Sequence, residues 1–280
     1  MAMRVYFCGT RGSTPINGAE QLRYGGYTSC VALARAGEPP VMVLDAGTGL
    51  QQLPLALRGE PFRGTVLLSH LHWDHTHGMP FFRGGTLPGH RVQVYLPEQG
   101  TDPEELLARA ISPPHFPIRP KQLGDGWTFG ALEPGRHELE GFAVLALEIP
   151  HKGGRTFGYR VSDGAAAVAY LPDHSPVSLG PGPEGTGVFH DAALALAAGA
   201  DLLVHDAQHT AAELPRLGFL GHSAVEYAVG LAQRAGAGQL ALFHHDPWRT
   251  DAEIDAFVAQ HATAPVRVFA AHDGMVVDLP

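Results

Sequence analysis

Short apolar runs, rich in valine and leucine, recur along the chain between turns that contain glycine or proline. A run of this length, bounded by such turns, predicts a β-strand. Strands are predicted at residues 4–8, 28–34, 41–45, 64–69, 91–96, 142–149, 156–162, 167–171, 201–205, 239–243, 266–270 and 275–278. Helices are predicted at residues 49–57, 75–82, 102–110, 191–198, 223–235 and 251–260.

The order of these elements predicts the fold class. The first half of the chain is rich in strands and the second alternates strands with helices, which favours a layered α/β protein with helix-covered sheets. Ser223 and Asp251 are predicted N-caps, and Glu253 adds an acid to the first turn of the last helix. The glycine- and proline-rich stretch 179–187 predicts a surface loop. Because no linker divides the chain, we expect one domain over residues 1–280.

Composition narrows the class of protein. Of 280 residues, 45% are hydrophobic and 17% are charged, which is ordinary for a globular protein and argues against disorder. No apolar run approaches the roughly 18 residues of a transmembrane helix. The start of the chain lacks a basic-then-apolar signal pattern, so we expect a cytoplasmic protein with no membrane partner. The net charge of -9 and the presence of only two lysines argue against non-specific nucleic-acid binding.

Histidines are more frequent than packing requires, with 17 in the chain, and they cluster after the predicted strand 64–69. Here His70, His72, Asp74 and His75 offer four potential ligands in one short segment. His70 and His72 are two residues apart and face the same way in an extended segment. Asp74 and His75 follow where the chain turns into a helix, so they can reach a second position. This set suits two adjacent divalent metals with mixed nitrogen and oxygen ligation.

The pattern His-x-His-x-Asp-His after a strand resembles the signature of the metallo-β-lactamase superfamily. Further segments resemble the family in the same order along the chain: residues 45–49 (DAGTG), 150–151 (PH), 170–173 (YLPD), 205–207 (HDA), 221–223 (GHS) and 242–244 (LFH). The last three are similar to segments of the ribonuclease Z-like, phosphodiesterase branch. The resemblance implies a four-layer αββα sandwich with the site between the two sheets.

The resemblance also implies a ligand set for two metal ions. One ion would be held by His70, His72 and His151, the other by Asp74, His75 and His244, with Asp173 bridging them. The ligand types favour zinc, with manganese or iron as alternatives. His245 is a rival for His244. His174 competes with Asp173, but a carboxylate can bridge two cations and a neutral imidazole cannot.

The remaining candidates have weaker signals. His77 is a candidate for contact with the ligands, and Trp73 is expected to pack beside the metal loop without required chemistry. Cys8 and Cys30 are expected to be core residues, and residues 9–13 lack the lysine of a phosphate loop but can line the site. The other histidines are expected at the surface or in structural contacts: His90, His115, His137, His190, His209, His261 and His272.

Such a metal pair, roughly 3.5–4 Å apart, is hydrolytic machinery because it can hold and ionise a water. Asp74 is expected to accept a hydrogen bond from this nucleophile as well as to bind metal. His222 is a candidate for protonating the leaving group, and Asp206 for orienting His222. Related sequences usually have glutamate where this chain has Asp206.

The spacing of the ligands bears on the substrate. Ribonuclease Z carries a tRNA-gripping arm between the third metal histidine and the bridging aspartate, whereas Asp173 follows His151 by only 22 positions here. We therefore expect a small phosphodiester, such as a cyclic nucleotide, rather than structured tRNA. A lactone or thioester hydrolase and a non-catalytic metal-binding protein are the alternatives. A homodimer is compatible with the sequence.

Overall fold

The computed structural model describes residues 3–182 and 184–280. Its strands are β1 (Met3–Gly9), β2 (Cys30–Arg35), β3 (Met42–Leu44), β4 (Arg63–Leu67), β5 (Arg91–Pro97), β6 (Trp127–Leu132), β7 (Gly135–Leu139), β8 (Phe142–Glu148), β9 (Phe157–Ser162), β10 (Ala167–Leu171), β11 (Leu202–Asp206), β12 (Gln239–Phe243), β13 (Arg267–Ala270) and β14 (Val276–Asp278). Its α-helices are α1 (Leu53–Ala56), α2 (Trp73–Thr76), α3 (Pro103–Ala108), α4 (Asp191–Ala197), α5 (Leu214–Leu217), α6 (Val225–Ala235) and α7 (Asp251–Gln260).

The strands form two seven-stranded sheets of similar design. The first has the order β14-β1-β2-β3-β4-β5-β6 and the second the order β13-β12-β11-β10-β9-β8-β7. In the first sheet the strands from β3 to β6 are parallel, and in the second those from β10 to β13 are parallel. The carboxyl ends of parallel strands are where α/β proteins place functional groups. Each sheet therefore offers one such edge.

The core is divided into three buried layers. A central cluster packs the two sheets together, with Phe7 and Leu44 from the first sheet and Tyr170 and Phe243 from the second. A second cluster lies between β9–β13 and the helices α4, α6 and α7. A third lies between the first sheet and α1–α3. The predicted αββα sandwich is thereby confirmed.

Several predicted boundaries were wrong. The strands β6 and β7 were missed, and the predicted helix 49–57 is a 3₁₀ segment, Thr48–Gln52, followed by the short α1. The helix predicted at 75–82 is the single turn of α2 followed by a 3₁₀ turn, Met79–Phe81. Within the described residues, no helix is long and apolar enough to cross a membrane.

Both predicted N-caps were also wrong. The N-cap of α6 is Ala224, one residue after Ser223. The N-cap of α7 is Thr250, whose hydroxyl accepts the amide hydrogen of Glu253 while the Glu253 carboxylate accepts that of Thr250. Asp251 instead uses its carboxylate to accept the backbone N–H groups of Arg23 and Tyr24, and so fixes the connection between β1 and β2.

Candidate metal centre

The metal loop leaves the carboxyl end of β4 and turns at once into α2. His70 follows the strand, His72 is the extended N-cap of α2, and Asp74 and His75 lie in the helix itself. The remaining ligand candidates follow other strands: His151 comes after β8, Asp173 after β10 and His244 after β12. The two sheets therefore contribute opposite walls of one site.

The structure brings all seven predicted ligands together in two clusters. One consists of His70, His72, His151 and Asp173, and the other of Asp74, His75, Asp173 and His244. Within each cluster the candidate ligand atoms all lie within 4.8 Å of one another. Asp173 belongs to both, since its Oδ1 lies 3.0 Å from His75 Nε2 while its Oδ2 lies 3.4 Å from His151 Nε2.

Buried atoms at the centre of these clusters lack hydrogen-bond partners. Among the described residues they include His70 Nε2, His75 Nε2 and Asp173 Oδ1, which lie close together but not in hydrogen-bonding geometry. A buried polar atom without a partner costs about 1–3 kcal/mol, so such atoms converging on one point call for a bound group. Imidazole nitrogens with carboxylate oxygens are the donor set that zinc and similar divalent ions prefer. The residues present therefore fit two metal ions.

The far sides of the imidazoles are held in place by further hydrogen bonds. His75 Nδ1 donates to Asp45 Oδ2 at 2.7 Å, and His151 Nδ1 donates to the carbonyl of Gly221 at 2.7 Å. Such bonds fix the tautomer and direct Nε2 towards a metal. Asp45 also accepts the Ser69 amide and hydroxyl and the Tyr170 hydroxyl, so its carboxylate is fully used. Sequence reasoning quoted Asp45 only as part of a motif and missed this role.

Three non-glycine residues around the site have left-handed backbone conformations. These are Ser13, Asp45 and His244, with φ values of 61°, 61° and 57°. Such conformations cost about 1–3 kcal/mol each and collect at functional sites. Gly12 lies against the His244 ring, where a Cβ atom would approach Nδ1 to 2.4 Å. The segment 9–13, expected to line the site, thus does so by close backbone approach.

The charges at the site are balanced by the carboxylates. Burial, aided by neighbouring imidazoles, lowers the pKa of His70, and burial likewise lowers the pKa of His72 and His151. Neutral imidazoles are the form that binds metal. Burial also acts against charge on His244, but the adjacent carboxylates, Asp173 first, outweigh it and raise its pKa to about 9. Burial acts against charge on Asp173, but the imidazoles of His244, His75 and His70 outweigh it and keep its pKa well below the usual value.

His222 and Asp206 form a pair beside the ligands. His222 Nδ1 donates to Asp206 Oδ2 at 3.1 Å, and the His222 ring stacks on His244 with centroids 4.9 Å apart. Asp206 is completely buried and also accepts the backbone N–H groups of His174, Gln208 and Ser223. The shorter aspartate therefore reaches His222.

The rival ligands are engaged elsewhere. His245 Nε2 donates to the carbonyl of Ala271 at 2.9 Å, and burial lowers its pKa to about 3. His174 uses both ring nitrogens: Nδ1 lies 3.0 Å from His205 Nε2, and Nε2 lies 2.8 Å from His190 Nε2. His77 is exposed and stacks on Trp73. None of the three rings is directed at the proposed metal positions by these contacts.

A buried chain of imidazoles behind the site was not foreseen. It runs from half-buried His190 through His174 to His205, whose Nδ1 donates to the backbone carbonyl of Asp206 at 2.7 Å. His209, expected at the surface or in structural contacts, is completely buried, and neither ring nitrogen has a partner among the described residues. The high histidine content of the sequence was the only signal for this row of imidazoles among the described residues.

A cavity of about 370 Å³ opens over the ligands. Its lining comprises Ser13, Leu71, His72, Trp73, Asp74, Asp173 and His222. Three ligand candidates and His222 therefore face one space in which a substrate can lie. Clefts that combine apolar walls with a few convergent polar groups are the usual binding sites of small molecules.

The family model described as Beta-lactamase superfamily domain matches residues 41–245, a segment that contains every proposed ligand. The chain belongs to the beta-lactamase superfamily. Among relatives, the ribonuclease Z of Natronomonas pharaonis is 27% identical, with 100% of this chain and 99% of the relative covered. The ribonuclease Z of Lacticaseibacillus casei is 28% identical over 86% of this chain and 84% of the relative.

Solved structures of superfamily members share the architecture. The metallo-beta-lactamase fold protein YhfI from Bacillus subtilis gives a TM-score of 0.73 at 20% identity, covering 99% of this chain and 100% of that one. The short form of human tRNase Z gives 0.67 at 21% identity, covering 99% of both chains. At these identities the likeness shows the fold alone. The superfamily and the hydrolase class that the motifs predicted are confirmed by the comparisons taken together.

Proposed function

We propose that this superfamily member is a dinuclear, metal-dependent phosphodiesterase that hydrolyses a small phosphodiester, such as a cyclic nucleotide. The observation that carries the proposal is the pair of ligand clusters that share Asp173 and open into one cavity beside the His222–Asp206 pair. An acid, a carboxylate and two cation positions around one space are what hydrolysis of a phosphodiester requires.

The ligands divide between the two positions as the motifs suggested. His70, His72 and His151 would hold one divalent ion, Asp74, His75 and His244 the other, and Asp173 would bridge them. Zinc suits the mixture of imidazole and carboxylate best, with manganese or iron as alternatives. When bound, two such ions supply Lewis acidity, which activates water and stabilises charge on the phosphate oxygens.

The protein's own side chains orient the attacking water and protonate the leaving group. Asp74 Oδ2 is held by the Ser13 amide at 2.8 Å and lies 3.1 Å from His244 Nε2, and Asp74 faces the cavity. Its carboxylate would accept a hydrogen bond from the attacking water and fix its direction. His222 Nδ1 donates a hydrogen bond to Asp206, so that Nε2 of the protonated ring is left to donate its proton to the departing oxygen.

The chain offers little to grip a large RNA near the site. The 21 residues between His151 and Asp173 contain the hairpin of β9 and β10 and leave no room for an arm. The net charge is -9, and the cavity of about 370 Å³ is lined by no lysine or arginine among the described residues. These features support a small substrate, although the relatives above are named ribonuclease Z.

The His222→Ala variant tests the proposal. Loss of a general acid lowers the rate about 10²–10⁴-fold, so this loss is expected on a phosphodiester with an alkoxide leaving group. The loss should shrink with 4-nitrophenolate, which leaves without a proton. Asp206→Asn should show a milder form of the same pattern. His115→Ala, at an exposed site, is the control.

Metal content and melting temperature, measured on the same samples, decide whether His222 is catalytic or structural. A catalytic His222 predicts unchanged metal content and an unchanged fold. Equal losses for both leaving groups, together with destabilisation, would assign His222 a structural role only. Faster hydrolysis of lactones or thioesters than of phosphodiesters would overturn the substrate class. A metal-loaded protein inactive on all three classes would instead favour non-catalytic metal binding.

A further inference from the structure

Trp73 occupies an unusual place in the metal loop. It lies between His72 and Asp74 and begins α2, yet its side chain is 66% exposed while Asp74 is buried. It lines the cavity together with Leu71 and His72. The sequence predicted that Trp73 packs beside the loop, whereas the structure places a large apolar ring at the wall of the site.

The Trp73 ring is held in one orientation. It stacks on His77, with ring centroids 5.4 Å apart and an angle of 19° between the planes. The His77 amide donates to the Trp73 carbonyl at 2.9 Å, so the short helix itself sets the pair face to face. The imidazole therefore covers one face of the indole, while Trp73 as a whole stays 66% exposed. A rigid aromatic surface binds a planar group at little cost in conformational entropy.

Trp73 and His222 reach the cavity from different sheets. Trp73 follows β4 of the first sheet, and His222 lies between β11 and β12 of the second. If His222 serves the leaving group, the wall on the side of the first sheet is free to receive the ester group that remains on phosphorus. Because the cavity wall there is Leu71 and Trp73, without a charged side chain beyond the ligands, it suits an apolar planar group.

We propose that Trp73 is the specificity-determining residue for the retained ester group, and that it binds a planar aromatic group such as a nucleobase by stacking. The proposal rests on the proposed phosphodiesterase function. Stacking between a base and an aromatic side chain is tolerant of base identity, and its loss weakens binding by roughly 5- to 150-fold.

Two esters with the same leaving group isolate this contribution. The metal-loaded chain is assayed with thymidine 5′-(4-nitrophenyl phosphate) and with methyl 4-nitrophenyl phosphate. Trp73→Ala should lower kcat/KM for the thymidine ester about 10-fold or more, mainly through KM. It should leave kcat/KM for the methyl ester within about 2-fold. Trp73→Phe should keep most of the preference, because a phenyl ring still stacks.

The controls separate the possible outcomes. Trp248→Ala removes an indole that is 77% exposed and is not part of the cavity lining, so both esters should react as with the unmodified chain. Equal losses of kcat/KM for both esters in Trp73→Ala, or a loss of bound metal, would mean that Trp73 only supports the metal loop. Either result overturns the proposal.

Failure of the function and failure of the stacking surface are distinguishable. If the unmodified chain hydrolyses neither ester, the proposed function is wrong. The stacking surface is then decided by calorimetric binding of thymidine 5′-phosphate to the metal-loaded chain. An affinity at least 5-fold weaker for Trp73→Ala supports the surface, and equal affinities, or no binding to either protein, exclude it.

Discussion

Asp173 is the residue on which both halves of the candidate metal centre depend. Its carboxylate is almost completely buried, with Oδ1 3.1 Å from His244 Nε2 and Oδ2 3.7 Å from His70 Nε2. We predict that Asp173→Ala binds fewer than two equivalents of metal, because both positions lose an anionic ligand. Elemental analysis after dialysis measures this, with exposed Asp125→Ala as control. Full occupancy in the Asp173 variant would remove the bridge assignment.

Asp45 acts one step further from the metals. Its Oδ2 accepts hydrogen bonds from His75 Nδ1 and from the Tyr170 hydroxyl. In asparagine the side-chain NH₂ group cannot accept such a bond, so one of the present bonds to Asp45 would be lost. We predict that Asp45→Asn weakens binding of one metal about 10- to 100-fold, the usual effect of losing such a contact. Asparagine tolerates the left-handed backbone, which keeps the fold intact. Competition with a chromogenic chelator measures the affinity, and an unchanged value would contradict this role.

At the scale of elements, the strands that end at the site were the ones best predicted from the sequence. Strands β4, β10, β11 and β12 were predicted because both of their faces are covered, which gives continuous apolar runs. The missed strands β6 and β7 are the edges of their sheets. In β7 exposed Arg136 and Glu138 alternate with half-buried residues, so no apolar run marks the strand.

The candidate site likewise has a part that could be predicted from the sequence and a part that could not. The four candidates of the segment 70–75 could be found because they follow a buried strand within one short segment, and His151, Asp173 and His244 because the segments around them resemble the superfamily. The contacts behind them could not, because they join distant segments: Asp45 meets Tyr170, and His174 meets His205. No local pattern encodes such pairs. The N-cap of α7 was misplaced by one residue because Thr250 and Asp251 are both good caps, and only the tertiary contact of Asp251 decides between them.

The imidazole chain behind Asp206 predicts a dependence of stability on pH. Burial lowers the pKa of His205 from 6.5 to about 4. Between these values the unfolded chain binds the proton and the folded chain does not, so the stabilising contribution is complete above pH 6.5 and is lost as the pH falls towards 4. The loss amounts to roughly 3 kcal/mol. His205→Phe should remove this part of the slope.

Urea unfolding in the presence of a chelator, at pH 7.5 and pH 5, measures the slope without contributions from bound metal. The unmodified chain should lose more stability between the two pH values than His205→Phe does, although the variant is less stable overall. His115→Ala, at an exposed position, should keep the slope of the unmodified chain. Identical slopes for all three proteins would show that His205 does not titrate below its ordinary range.

At the scale of the whole molecule, one buried arginine joins the loops of the two sheets. Arg11 follows β1 of the first sheet and is completely buried. Its guanidinium donates to the carbonyl of Gly25, and to those of Asp246 and Arg249 in the loop that follows β12 of the second sheet. The neighbouring Gly12 amide donates to the backbone carbonyl of His245 at 2.9 Å. Arg11 thereby holds the segment 12–13 against the proposed ligands His244 and Asp74.

We predict that Arg11→Met lowers the free energy of unfolding by about 3 kcal/mol, because three half-buried carbonyls lose their donor and each loss costs about 1 kcal/mol, the lower end of the range for a buried group. The free energy of unfolding of Arg11→Lys should lie between those of the unmodified chain and of Arg11→Met, since one ammonium group cannot reach all the carbonyls that the guanidinium reaches. Urea unfolding measures both, and exposed Arg109→Ala should change stability by no more than about 0.5 kcal/mol. Because Arg11 precedes the segment 12–13, whose Ser13 amide holds Asp74, Arg11→Met should also weaken metal binding. A variant with native stability and native metal affinity would show that the two sheets hold the site together without this link.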